Sequence, residues 1–120
     1  MPSPVLRVLL FSLLLALTAC GGEKYGAGVD PSAPLVTVRD IFLSPQLVGQ
    51  TVTVQGKIYT QCESNGCWFI LDDTTGQLYI DLAPHNFSLP AMPGRTVKAS
   101  GTVTSFRNSY LLVARGVETQ

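Results

Sequence analysis

Four residues, Glu63-Ser64-Asn65-Gly66, separate Cys62 from Cys67. Two thiols so close in the chain suit a disulfide, if a hairpin brings their Cα atoms to roughly 4.4–6.8 Å, and outside the cytoplasm such a bond persists. As thiolates they would instead select a soft ion such as Cu(I), with His85 or Met92 from a later segment adding ligands. The spacing is not the Cys-x-x-Cys of thioredoxin-like redox motifs, and a zinc centre wants four ligands where two are secure. The expected state is a disulfide and no cofactor; the alternative is a copper-handling or redox accessory role for the pair.

The other polar candidates carry less. His85 lies beside Pro84 with no nucleophile at a recognisable spacing. Asp72 and Asp73 are adjacent, so on a strand their side chains point to opposite faces. They read as turn formers ahead of Thr74-Thr75-Gly76, not as an acid/base pair, which needs two carboxyls converging on one bond. No hydrolase, phosphate-loop or dinucleotide motif occurs, and nothing points to an enzyme. Binding remains: Tyr59, Trp68, Ile70, Tyr79 and Asp81 form a candidate face whose aromatics suit sugar rings, bases or a partner's apolar side chains.

Positioning these residues requires strands. Residues Gly49–Ile58 and Gly94–Val103 share one pattern, Gly-x-Thr-Val-x-(Val/Ala)-x-Gly-x-(Ile/Val), 45 positions apart. The alternation of apolar and polar residues predicts half-buried strands, and a glycine recurring in mid-strand predicts sharp coiling. Trp68–Asp72 and Gln77–Leu82 predict a hairpin closed by Asp73-Thr74-Thr75-Gly76, and Tyr110–Val117 a last strand after the turn Phe106-Arg107-Asn108-Ser109. Counting by twos from Val52, Val54 and Ile58 puts Cys62 on the inner face, and Phe69 with Leu71 puts Cys67 there too. Thr37–Leu43 predicts a short helix stopped near Pro45; if it covers the aromatic face, Trp68 and Ile70 belong to the core.

Five strands with a long third connection resemble the oligonucleotide/oligosaccharide-binding (OB) fold, an all-β Greek-key barrel, here with a short N-terminal helix. The order Val48-Gly49-Gln50-Thr51-Val52, Gly56, Cys62, Gly66-Cys67-Trp68, Leu71-Asp72-Asp73, Gly76, Pro93-Gly94, Gly101 resembles a family of small bacterial envelope OB domains carrying a Cys and then Gly-Cys-Trp. That resemblance implies a fold and a cellular place; it implies no activity. Binding in OB barrels uses the second and third strands and the neighbouring loops.

The first twenty residues hold one charge, Arg7, then a nearly unbroken apolar run from Val8 to Leu17, and end in Leu17-Thr18-Ala19-Cys20. The run is too short to span a bilayer comfortably, which takes roughly 20 apolar residues, and it reads as a signal peptide. The tetrapeptide resembles the lipobox of bacterial lipoproteins, which implies cleavage after residue 19 and a lipid on Cys20. The expected organisation is a signal peptide over 1–19, a lipidated N-terminus and flexible linker over 20–34, and an OB domain over 35–120. The expected place is the extracytoplasmic face of a membrane in the bacterial envelope, with a protein partner or small ligand.

The composition fits this partition. The 46% hydrophobic content of the whole chain averages an apolar leader with an ordinary domain. Eight basic residues balance eight acidic ones, and loss of Arg7 leaves the remainder at −1. Gripping nucleic acid needs clustered Lys and Arg, so nucleic acid is not the expected partner.

Overall fold

A computed structural model describes residues 22–120; the leader, the cleavage site and Cys20 lie outside the described residues. The elements are β1 (Lys24–Gly26), α1 (Val38–Leu43), β2 (Thr51–Gln61), β3 (Trp68–Asp72), β4 (Gln77–Asp81), β5 (Thr96–Phe106) and β6 (Ser109–Thr119). Short 3-10 turns stand at Pro45–Leu47 and Ala83–His85. None of the helices among these residues is long and apolar enough to cross a membrane.

Strands β2 to β6 close on themselves. The sheet runs β6-β4-β3-β2-β5, and β5 pairs back onto β6. All pairings are antiparallel except β4 with β6, where Tyr79, Ile80 and Asp81 face Leu111, Leu112 and Val113 in parallel. This is the five-stranded OB barrel. Its interior is filled from alternate positions by Val52, Val54, Ile58, Phe69, Leu71, Leu78, Ile80, Val97, Val103, Leu112 and Val117, each 0–1% exposed. Burying a side chain of this size contributes roughly 1.5–3 kcal/mol.

The two repeats pair with each other. β2 and β5 lie antiparallel so that Val52 faces Gly101, Val54 faces Ala99 and Gly56 faces Val97. Each motif's glycine thus meets the other motif's valine. Gly101 also marks a register shift between β5 and β6, and a Cβ there would fall 2.1 Å from the Val113 carbonyl oxygen. The missing side chain lets two strands approach closely where the barrel turns a corner.

Helix α1 is set by a capping box: Asp40 N–H donates to Thr37 Oγ1 and Thr37 N–H donates to Asp40 Oδ2, both at 3.0 Å. It buries Val38 and Ile41 completely. The β3–β4 turn holds its start, with Asp73 Oδ2 accepting from Val38 N–H at 2.8 Å and Thr75 Oγ1 from Arg39 N–H at 3.1 Å. The helix therefore sits at the hairpin end of the barrel, with Val38 against Gly76 and Phe42 edge-on to Tyr110.

The expected flexible linker is corrected from Gly22 onward. β1 pairs with β6 through Lys24–Glu118, Tyr25–Val117 and Gly26–Gly116. Beyond it, Val29 N–H donates to Glu118 Oε2 and Asp30 N–H to Ser100 Oγ. Val36 N–H donates to the Thr53 carbonyl, and Thr53 N–H to that of Pro34. Glycine and proline made this stretch read as a tether by composition, but its backbone groups find partners along β2, β5 and β6.

Candidate functional site

The outward residues of β3 and β4 are Trp68, Ile70 and Asp72, and Gln77, Tyr79 and Asp81. Cross-strand partners are Trp68 with Asp81 and Ile70 with Tyr79, so Trp68 reaches Tyr79 diagonally. Their rings stack with centroids 5.5 Å apart and 21° between planes. Trp68 and Ile70 are half-buried, and Tyr79 is exposed. α1 does not cover this face, because its anchor is the Asp73 turn at the end of the hairpin. Burial, and then the neighbouring Asp81 carboxylate, raise the Tyr79 pKa, with smaller contributions from both cysteines.

The loop from β2 to β3 carries the thiols. A bulge at Tyr59 separates the pairs Ile58–Leu71 and Thr60–Ile70. The extra residue reverses the alternation, so Cys62 does not belong to the inner set that counting by twos assigns; it lies in register with Trp68, whose carbonyl accepts its N–H at 3.1 Å. Gly66 N–H closes the loop onto the Cys62 carbonyl at 3.2 Å, and Leu89 N–H donates to the Gly66 carbonyl at 3.0 Å. Gly66 has φ +60°, and a Cβ on it would fall 2.0 Å from the Leu89 carbonyl oxygen, which accounts for glycine before Cys67.

Cys62 and Cys67 are free thiols in this structure, not the expected disulfide. Cys62 Sγ lies 3.3 Å from Ser64 Oγ and 3.0 Å from Asn65 Oδ1. Hydrogen bonding to the Ser64 side chain, then to the Asn65 backbone, with a smaller share from Cys67, brings the Cys62 pKa down to about 6. Burial pushes the Cys67 thiol up, and the adjacent Cys62 adds to that rise. The two side chains thus interact and are electrostatically unequal.

A cleft of about 550 Å³ opens beside this loop, lined by residues 59–66 and by Leu89, Pro90, Ala91 and Pro93. Its far wall is clamped to β2 by Gln61, whose Nε2 donates to the Pro90 carbonyl at 3.0 Å and whose Oε1 accepts from Met92 N–H at 2.8 Å. Cys62 lines the cleft; Cys67 does not. Tyr59, 64% exposed, also belongs to this wall and is not part of the Trp68–Tyr79 plate.

The remaining sequence candidates are dispersed. His85 lines a hollow with Gly26–Pro31 and Arg115, and neither thiol lines that hollow. Met92 packs against the core. Among the described residues no three His, Cys, Asp or Glu side chains are grouped as metal ligands. Asp72 and Asp73 do serve the turn: Asp72 Oδ1 accepts from Thr74 N–H, and Asp73 Oδ1 from Thr75 N–H, Thr75 Oγ1 and Gly76 N–H.

Sequence reasoning missed the aromatics next to the plate. Tyr79 shares an apolar hollow with Phe106, Tyr110 and Leu111. Phe106 is 57% exposed, with the Arg107 guanidinium 5.3 Å from its ring centroid. Arg107 and Asn108 both take positive φ, the signature of a two-residue hairpin turn. The Phe-Arg-Asn-Ser turn is visible in the sequence, but only the parallel register of β4 and β6 shows that it flanks Tyr79.

No family model matches the chain, and no curated protein matches it. Among solved structures, the hypothetical protein ygiW from E. coli is 21% identical with a TM-score of 0.58, over 79% of this chain and 99% of that one. The telomere capping protein Ten1 from Saccharomyces pombe is 16% identical with a TM-score of 0.50, over 68% of this chain and 77% of its own. A chain of the S. pombe Stn1-ten1 complex is 19% identical, also at 0.50, over 72% and 75%. At these identities the likeness is one of fold, and it places the chain among small OB-fold domains.

Proposed function

We propose that this protein is a non-catalytic binding module of the bacterial cell envelope, anchored through a lipid on Cys20, that takes a protein partner or small ligand on the face formed by β3 and β4. The observation that carries the reading is the Trp68–Tyr79 stack, left open on the barrel's outer face beside Ile70 and Asp81. Stacked aromatics offer apolar area at little entropic cost, and Asp81 adds a fixed acceptor for orientation. Phe106, Tyr110 and Phe42 extend the apolar surface along one side.

The outward residues of β3 and β4 include two carboxylates, Asp72 and Asp81, and no basic side chain. That favours an apolar or weakly basic ligand over a phosphate backbone. A similar fold, Ten1, occurs in a complex with a second protein, Stn1, so a protein partner is compatible with a barrel of this size. The lipobox-like Leu17-Thr18-Ala19-Cys20 supports the anchor and the extracytoplasmic location.

The test is capture of the anchored protein from its own membranes in mild detergent, with wild type run against Trp68→Ala and Tyr79→Ala. A partner retained by wild type and lost from both variants, each shown to be folded by its melting curve, is the expected result. An identical set of retained molecules from all three proteins would refute the assignment of the face.

A further inference from the structure

We infer that Cys62 is the attacking thiol of a thiol–disulfide exchange site, that Cys67 is its resolving thiol, and that the substrate is a disulfide-bearing protein segment lying in the cleft beside them. The inference is independent of the aromatic face. It rests on three features of the loop. The Tyr59 bulge turns Cys62 out of the barrel interior and into the wall of the cleft, a wall that Cys67 does not line. The Ser64 hydroxyl, 3.3 Å from the Cys62 sulfur, can donate to the thiolate, while the thiol donates to Asn65 Oδ1 at 3.0 Å; no comparable set stands at Cys67. The hydrogen bonds from Gly66 to Cys62 and from Leu89 to Gly66 fix the loop so that the second thiol stays within reach of the first.

The charge asymmetry matches the geometric one. At its pKa of about 6, Cys62 is mostly thiolate at neutral pH, whereas an ordinary thiol near 8.5 is ionised to only a few per cent. Cys67, raised by burial and by Cys62, stays protonated until its neighbour's charge is consumed. A structural staple requires no such difference between its two sulfurs.

The exchange balances as follows. The Cys62 thiolate attacks one sulfur of the partner's disulfide; that S–S bond breaks, and the departing thiolate takes a proton from water. The mixed disulfide removes the negative charge at Cys62, and Cys67 then loses its proton to solvent. Its thiolate attacks Cys62 Sγ, the mixed bond breaks, and the partner's second sulfur leaves and is protonated. Two electrons pass to the partner, which ends as a dithiol, while the pair ends as a Cys62–Cys67 disulfide. Ser64 is a positioning residue, acting only through the Cys62 sulfur.

The test uses oxidised glutathione on the reduced full-length mature protein. Cys67→Ser is expected to accumulate one glutathione adduct at Cys62, and wild type to form the internal disulfide with release of two glutathione thiols. Limited alkylation of wild type near pH 6 should label Cys62 first, with a rate profile whose midpoint lies near 6, and Ser64→Ala should move that midpoint upward. Because the alkylation uses unaltered protein, it stands even if a variant misfolds. Equal labelling of both cysteines would overturn the proposal. So would a Cys62–Cys67 disulfide that excess reduced glutathione fails to open, since the pair would then be a staple.

Discussion

Replacing Asp73 by alanine should destabilise the domain by about 2–3 kcal/mol, from capping losses of roughly 0.5–2 kcal/mol plus charge-assisted hydrogen bonds of 1.5–3 kcal/mol, discounted for partial exposure. One carboxylate accepts from Val38 N–H at 2.8 Å, Thr75 N–H at 2.9 Å, Thr75 Oγ1 at 2.6 Å and Gly76 N–H at 3.2 Å. It ties α1 to the β3–β4 turn, and both lose donors' partners when it is removed. For a domain of this size the melting temperature should fall by roughly 10–20 °C, at about 4–8 °C per kcal/mol. Asn should lose less, since its carbonyl oxygen still serves the turn.

The same residue sets an acid limb. Burial alone would raise the Asp73 pKa, but hydrogen bonds from the Thr75 side chain and from the Val38, Thr75 and Gly76 backbone hold it below the usual carboxylate value. A carboxyl depressed in the folded state stabilises above its unfolded pKa, about 3.9, and that contribution disappears as pH falls through the lower native value. Wild type and Asp73→Asn should therefore differ most at neutral pH and converge below about pH 4, towards the native pKa of Asp73. Thermal melts by circular dichroism across that range measure this. An alanine variant melting within two or three degrees of wild type, or a gap that does not shrink in acid, would refute the reasoning.

Gly101→Ala should cost about 3 kcal/mol, at the upper end for overpacking, because its Cβ would meet the Val113 carbonyl at 2.1 Å; urea unfolding reads this directly. Trp68, the sole tryptophan, should be quenched by iodide in the folded protein, and Tyr79→Ala should increase that quenching by uncovering one ring face; an unquenchable indole would contradict an open plate. Cys20→Ser should move the protein from the membrane to the soluble fraction without changing its melting temperature, as fractionation and mass of the mature chain would show.

The barrel was legible in the sequence because its signals are local and periodic. The paired Gly-x-Thr-Val motifs, the Asp-Asp-Thr-Thr-Gly turn and the capped Thr37–Leu43 segment each announce their own geometry. Two features were not legible. The Tyr59 bulge leaves no mark in composition, yet one extra residue reverses which face Cys62 takes, so alternation failed just where the chemistry is concentrated. The docking of residues 22–36 depends on long-range partners such as Ser100, Thr53 and Glu118, and nothing nearby in the chain signals them. The aromatic plate lies between these cases: Trp68 and Tyr79 alternate outward as strands require, whereas Phe106 joins them only through the parallel β4–β6 pairing.

The pairing of β1 with β6 fastens the start of the described chain to the barrel. Glu23 N–H donates to Thr119 Oγ1, Thr119 N–H donates back to the Glu23 carbonyl, and Gly22 lies against the Thr119 carbonyl. With a lipid on Cys20, only Gly21 stands between the acylated residue and chain already fastened to the barrel, a span of about 7 Å at most. On the proposed anchoring, such a domain would ride on the headgroups with its β1–β6 edge turned to the bilayer and would not sweep the surrounding volume. Its encounters would then be confined to a layer one barrel thick, and a partner would have to present its surface close to the same membrane.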